Sequence, residues 1–241
     1  MENLTSIAVI IPCYNHANVL RRTLLALKSQ TQQPAEIVLV DDASTDHPEK
    51  ILAEVFPDAA NVQYLRLEKN SGAPFARNRG AELTSSPYLL FLDADAELIP
   101  EALARFIEAL EQNPEAEFAY ANFRWGRRLF KARTYDPDML RKANYIHTSS
   151  LIRRAAFPGF DESLKKFQDW DLWLTLAKQG KPGFWIDREL YTIVPRRKGQ
   201  GISSWLPRIT HRIPWPILGW MPREIKRYRE AEQIIRKKHH L

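Results

Sequence analysis

The stretch YLLFLDADAEL, Tyr88 to Leu98, constrains this chain more than any other. Five apolar residues run straight into Asp93 and Asp95, with Glu97 behind them. An apolar run of that length suits a buried strand. Negative charge crowded at the end of a buried strand needs a neutralising partner, either within the protein or on a ligand. AEIVLVDDAST repeats the arrangement, with Asp41 and Asp42 closing a second apolar run.

Around these runs the first half alternates strand and helix signals. IAVIIP, EIVLV, NVQYLRLEKN and YLLFL read as four strands, the last continuing through DADAEL. Between them, NHANVLRRTLLALKSQ places Val19, Leu20, Leu24 and Leu27 at helical spacing, with a cap expected from Asn15 or Asn18. DHPEKILAEVF reads as a helix with Pro48 in its first turn, and APFARNRGAELTS as another after Gly72. PEALARFIEALEQN puts Leu103, Phe106, Ile107 and Leu110 on one helical face. This rhythm predicts an α/β fold with a mostly parallel sheet covered by helices on both faces. Ligands of such sheets bind beyond the carboxyl ends of the strands, where both acid pairs lie. The second half is less regular, with a strand pair around WGRR, a strand-turn segment in NYIHTSSLIRRAAF and a helix in FQDWDLWLTLAKQG ended by Gly180.

Composition adds exclusions. The chain has 241 residues and one cysteine, Cys13, so an internal disulfide framework is excluded and a reducing compartment is expected. Its start, MENLTSIAVIIPCYN, lacks a basic region followed by a long apolar run, so no signal peptide is expected. The apolar runs are too short to span a bilayer. The formal charge is +6, and from Arg196 onward many Arg and Lys face only Glu224, Glu230 and Glu232. The expected organisation is a catalytic domain over residues 1–204 and a basic, Trp/Pro-rich extension over 205–241 that ends in a helix.

Two carboxylates at i and i+2 on a strand point to opposite faces, but a turn just past the strand end brings both toward one hard cation. Mg²⁺ or Mn²⁺ suits such oxygen donors and fills its remaining positions with water or phosphate oxygens. A helix cap or simple solvation is the competing role. Arg77 and Arg79 in NSGAPFARNRG are near enough in sequence to serve a phosphate-bearing ligand. In QDWD, Asp169 and Asp171 lie two positions apart on a helix and face different ways, so one of them projects into a site and the other is free to cap.

Taken in order, VIIPCYNHANVLRRTLLALKSQTQQPAEIVLVDDASTD, NSGAPFARNRG, YLLFLDADAEL and FQDWDLWLTLAKQG resemble family 2 glycosyltransferases over about residues 6 to 204. The resemblance implies a GT-A fold, a Rossmann-like three-layer sandwich. It also implies a nucleotide-sugar donor, Mn²⁺ or Mg²⁺, and inversion at the anomeric carbon. By that resemblance Pro12 and Tyr14 line the nucleoside pocket, Asp42 binds the base and Arg77 lies by the nucleotide and donor. Asp93 contacts the donor, Asp95 is the metal ligand, and Asp169 is the general base. Two departures stand out: Gln168 precedes Asp169 where relatives more often have Glu, and Arg197 or Lys198 falls where many carry a histidine.

The expected function is therefore transfer of a hexosyl or N-acetylhexosaminyl group, with a UDP-sugar the preferred donor, to a saccharide or lipid-linked acceptor of envelope polysaccharide or lipopolysaccharide. A nucleotidyltransferase is the first alternative, but IPCYNHANV has no glycine with which to grip a triphosphate. A non-catalytic sugar- or nucleotide-binding protein on the same scaffold is the second. Trp, Ile and Leu interleaved with Arg after Ser204 fit peripheral contact with the inner face of the cytoplasmic membrane from the cytoplasm. Nucleic acid is not an expected partner.

Overall fold

A computed structural model describes residues 6–195 and 222–241. Arg197, Lys198 and the Trp/Pro-rich stretch up to residue 221, on which the missing histidine and the membrane contact were placed, lie outside the described residues.

The apolar runs become strands buried on both faces, as period-two geometry requires. In β1 (Ile7–Cys13), Ile7, Val9 and Ile11 face one core while Ala8 and Ile10 face another. β2 (Glu36–Asp41) and β4 (Tyr88–Phe91) split their side chains the same way. β1 lies between these two strands, parallel to both, and β3 (Val62–Arg66) adds to β2. Helices α1 (Ala17–Lys28), α2 (Pro48–Val55) and α4 (Ala102–Gln112) fill one face of the sheet. Helices α3 (Ala73–Glu82), α5 (Pro137–Lys142), α6 (Gln168–Lys178) and α7 (Arg223–His239) contribute to the core on the other. The result is the expected three-layer α/β sandwich around a mixed sheet of order β3-β2-β1-β4-β8-β6-β9-β5.

The second half completes that order. β6 (Phe118–Trp125) turns through Gly126 into the short β7 (Arg128–Phe130), the strand pair expected around WGRR. β8 (Leu151–Arg153) is antiparallel to β4 and β6. β9 (Gly183–Ile193) is a single long strand parallel to β6, with a bulge near Asn122.

Two local expectations change. YLLFLDADAEL is two strands, because β5 (Ala96–Leu98) leaves β4 at a turn and pairs antiparallel with β9 at the far edge of the sheet. The cap of α1 comes neither from Asn15 nor from Asn18. Asp46 reaches across from the loop after β2, and its Oδ2 accepts the Ala17 N–H at 2.8 Å. A carboxylate there also complements the positive end of the helix.

Candidate active site

Pairing of Cys13 with Asp41 and of Ile10 with Phe91 brings the carboxyl ends of β1, β2 and β4 to one edge. Pro12 is buried within β1, whereas the Tyr14 ring just past it is 45 % exposed at that edge. Cys13 is buried and its thiol is pushed up to about 12, by burial first and Asp46 second, so it is no nucleophile.

The two acids after β2 divide their work. Asp41 accepts from the Ser44 N–H at 2.7 Å and from the Tyr64 hydroxyl at 2.7 Å, with Arg66 beside it. Asp42 ties down the entrance to α3, its Oδ1 accepting from Ser71 N–H at 2.7 Å and its Oδ2 from Gly72 N–H at 2.8 Å. Burial raises the Asp42 carboxyl above its ordinary range despite these two bonds. Gly72 has a φ of 94°, a backbone open to glycine, and Arg77 follows within two turns.

Arg77 is the hub. Buried on α3, it donates through Nη2 to Asp93 Oδ1 at 2.8 Å and through Nη1 to Gln168 Oε1 at 2.9 Å, with its guanidinium 5.2 Å from the Phe160 ring centre. Gln168 thus supplies the arginine with the oxygen that a glutamate would, without its charge. Arg79, by contrast, is a surface residue paired with Glu82.

Asp93 and Asp95 occupy the turn between β4 and β5, closed by a 3.0 Å bond from the Ala96 N–H to the Asp93 carbonyl. The turn is anchored by Thr23 on the Ala94 carbonyl and by the Val194 N–H on the Asp95 carbonyl. Burial works to raise the Asp93 carboxyl, but Arg77 and then His147 outweigh it and hold it below the usual range. Among the described residues no three His, Cys, Asp or Glu side chains gather to hold a metal by themselves. A donor set of two neighbouring carboxylates still fits a hard cation that draws its other ligands from water and a diphosphate.

Asp169 opens α6 one residue after Gln168. Its Oδ2 accepts from Asn144 Nδ2 at 2.8 Å and its Oδ1 from the Trp170 N–H at 2.9 Å. Burial raises its carboxyl above the ordinary range, with His147 the first of the groups opposing it. Asp171 does not cap the helix. It is buried on the opposite side, where Lys238 Nζ and His239 Nε2 of α7 approach its Oδ1 at 2.8 and 2.7 Å. Trp173 is core, and Trp170 is also buried, its Nε1 donating to the Leu140 carbonyl.

The structure therefore brings Arg77, Asp93 and Gln168 into one cluster, with Asp169 next to Gln168 and Asp95 on the turn. Asn144, Phe160 and Tyr191 belong to the same neighbourhood but carry no signal in the sequence, being single residues brought in by long-range folding.

The family model described as Glycosyl transferase family 2 matches residues 8–159. A teichoic acid poly(glycerol phosphate) polymerase of Staphylococcus epidermidis is 28 % identical over 190 residues, which cover 73 % of this chain and 26 % of that protein. A PGL/p-HBAD biosynthesis glycosyltransferase of Mycobacterium bovis is 31 % identical over 176 residues, covering 68 % of this chain and 66 % of its own. The chain thus spans about a quarter of the first relative and about two thirds of the second. Among solved structures, S. aureus TarS in complex with UDP-GlcNAc aligns over 96 % of this chain and 71 % of its own with a TM-score of 0.70 at 22 % identity. The Pyrobaculum calidifontis mannosyltransferase in complex with GDP-Man and Mn²⁺ aligns over 95 % and 69 % with a TM-score of 0.64 at 19 % identity. At those identities the likeness concerns the fold, which is GT-A.

Proposed function

The chain belongs to glycosyl transferase family 2, and from that premise we propose that it transfers a sugar, with inversion, from a nucleoside-diphosphate donor to an acceptor hydroxyl. The observation that carries this reading is Arg77, which links the Asp93 turn to the start of the helix bearing Asp169. One residue thereby joins the end suited to a diphosphate to the end suited to a base.

In the proposed reaction Asp169 accepts the proton of the acceptor hydroxyl as the new bond to the anomeric carbon forms. The bond from that carbon to the diphosphate oxygen breaks on the opposite face, and the electron pair leaves with the nucleoside diphosphate. No covalent enzyme intermediate is needed. Asp95, with Asp93 beside it, would hold Mn²⁺ or Mg²⁺, which when bound stabilises the charge of the departing diphosphate. In this reading the exposed Tyr14 ring would pack on the base, with Pro12 behind it and Asp42 accepting a base N–H. UDP is the first nucleotide to try; the teichoic acid and PGL/p-HBAD biosynthesis relatives support an acceptor of the bacterial envelope, and the enzyme is proposed to lie on the cytoplasmic side of the membrane.

The test is release of nucleoside diphosphate from UDP- and GDP-sugars with Mn²⁺ or Mg²⁺, before and after chelation. Release that depends on a sugar nucleotide and stops with EDTA is expected. Pyrophosphate release from a nucleoside triphosphate and a sugar phosphate would instead restore nucleotidyl transfer.

A further inference from the structure

Asp169 is carried by the start of α6, and the local sequence does not account for how that helix starts. Phe167 occupies the cap position with φ 57° and ψ 29°, a left-handed backbone that is an outlier for so bulky a side chain. Its side chain offers no hydrogen bond to the first turn, whereas a preferred cap residue would. The backbone at Phe167 nevertheless sets the residues that follow. Its carbonyl accepts the Asp171 N–H at 2.9 Å, the bond that opens the helix. Gln168 then spans from the Leu164 carbonyl, 3.1 Å from its Nε2, to Arg77, 2.9 Å from its Oε1. Asp169 comes next, with Asn144 on its Oδ2.

A strained turn persists only where its surroundings over-determine it. Here two rings grip it. The Phe167 ring meets Trp170 at 5.8 Å and Tyr228 of α7 at 4.9 Å between centres, edge-on at 69° and 79°. Trp170 belongs to the same helix, so of the two it is Tyr228 that ties Phe167 to a separate element. Tyr228 is itself on a fixed post, because α7 stacks Arg236 5.6 Å over Trp170 and holds Asp171 through Lys238 and His239. Neither α6 nor α7 lies within residues 8–159, the stretch that the family model matches. We propose that Tyr228 is a positioning residue for the reaction, gripping Phe167 in its left-handed turn and so aiming Asp169 at the acceptor hydroxyl and Gln168 at Arg77. This rests on the glycosyl-transfer reading, in which Asp169 is the base. Misplacing such a group by about 1 Å, through a change remote from the chemistry, costs about 10²-fold in rate.

Turnover and donor binding test it on the full chain, well below the unfolding temperature of each variant. Release of nucleoside diphosphate is followed at saturating UDP-GlcNAc, UDP-Glc or GDP-Man with Mn²⁺, and calorimetry gives the affinity for the same donor. Tyr228→Ala should slow release roughly 10- to 100-fold while donor affinity is kept. Tyr228→Phe keeps the ring and should restore release. Phe167→Gly removes the ring and the backbone strain together, so it spares the fold, and it should slow release as much. The double variant should be no slower than either single one, because Tyr228 acts through Phe167. Ile107→Ala, which opens the core on the other face of the sheet, should lose stability but not turnover. An equal loss of turnover in Ile107→Ala would make the effect one of stability and overturn the proposal. Unchanged release in Tyr228→Ala or Phe167→Gly would overturn it, and so would losses that multiply in the double variant. A fall in donor affinity equal to the fall in turnover would move Tyr228 to the donor site and overturn it too. A crystal structure of Tyr228→Ala reads the turn without turnover: Gln168 should have left Arg77, and an unmoved turn from Phe167 to Asp169 would overturn the proposal. An unaltered chain that neither binds nor cleaves any of the three donors would overturn the glycosyl-transfer reading itself, and this role of Tyr228 with it.

Discussion

In the proposed reaction Asp169 is the base; burial raises its affinity for a proton, and Asn144 Nδ2 donates to its Oδ2 at 2.8 Å. A protonated Asp169 cannot accept the acceptor's proton, so activity should fall as the pH drops through its raised pKa. The acid limb of kcat/KM is therefore expected above the ordinary aspartate range. Asn144→Ala removes a hydrogen bond that favours the charged form and should move that limb to still higher pH. Asp169→Asn should lower kcat by roughly 10²–10⁴ while donor binding persists, measured by turnover and calorimetry side by side. Normal turnover in Asp169→Asn would end the assignment. At this scale QDWD was readable as a motif, and residue types alone left its two aspartates as rivals. They are separated only by what lies around them, the Asn144 loop for Asp169 and the last turn of a distant helix for Asp171.

Among elements, α3 matters most because it carries Arg77 and lies hard against β1. A Cβ added at Gly80 would come within 2.3 Å of Ile10 Cγ2 and 3.1 Å of Val40 Cγ2. Gly80→Ala should therefore cost about 1–3 kcal/mol in denaturant unfolding and shift the helix outward. Because Arg77 moves with it, sugar transfer should fall as well. Helix α7 is the second such element. It closes on α6 through Lys238, which bonds Asp161 at 2.6 Å and Asp171 at 2.8 Å, and through Ile235 in the core. Asp171→Ala leaves Lys238 and His239 without that partner and should cost about 1.5–3 kcal/mol by the same measurement. Asp161 is held down to about 2, by Lys238 first and Ser163 second, against an ordinary value of 3.8. A depressed folded pKa contributes stability that is complete above the unfolded value. That contribution should be lost as the pH falls from about 3.8 toward 2, followed by fluorescence of Trp170, over which Arg236 of α7 stacks. The strands ending at the site were legible because a run such as IAVIIP has no other way to bury both faces. The division of YLLFLDADAEL was not legible, because β5 is three residues long and is fixed by pairing with Tyr191 to Ile193, almost a hundred positions away. The cap of α1 by Asp46 escaped for the same reason.

Over the whole molecule, the excess of positive charge gathers toward the end of the sequence, and α7 shows how part of it is presented. Ile225 and Ile235 are buried against the domain, while Arg223, Lys226, Arg227 and Lys237 are exposed on the opposite side around Ile234, itself 55 % exposed. No helix among the described residues is long and apolar enough to cross a membrane. Contact of this helix with a bilayer would thus be electrostatic, worth about 1 kcal/mol for each basic residue near an anionic surface and weakened by salt. Truncation near Ser204 is a poor test, because it also strips Asp171 of Lys238 and His239 and opens the core at Ile235. Reversing charge at Lys226, Arg227 and Lys237 to Glu leaves those buried contacts in place. The triple variant should sediment less with anionic vesicles than the unaltered chain at roughly 0.1 M salt, and the difference should shrink as salt is raised. Neither chain should sediment with neutral vesicles if charge alone drives the contact. Equal sedimentation of the two chains with anionic vesicles would show that α7 faces water, and any membrane-bound acceptor would then have to be reached without help from this helix.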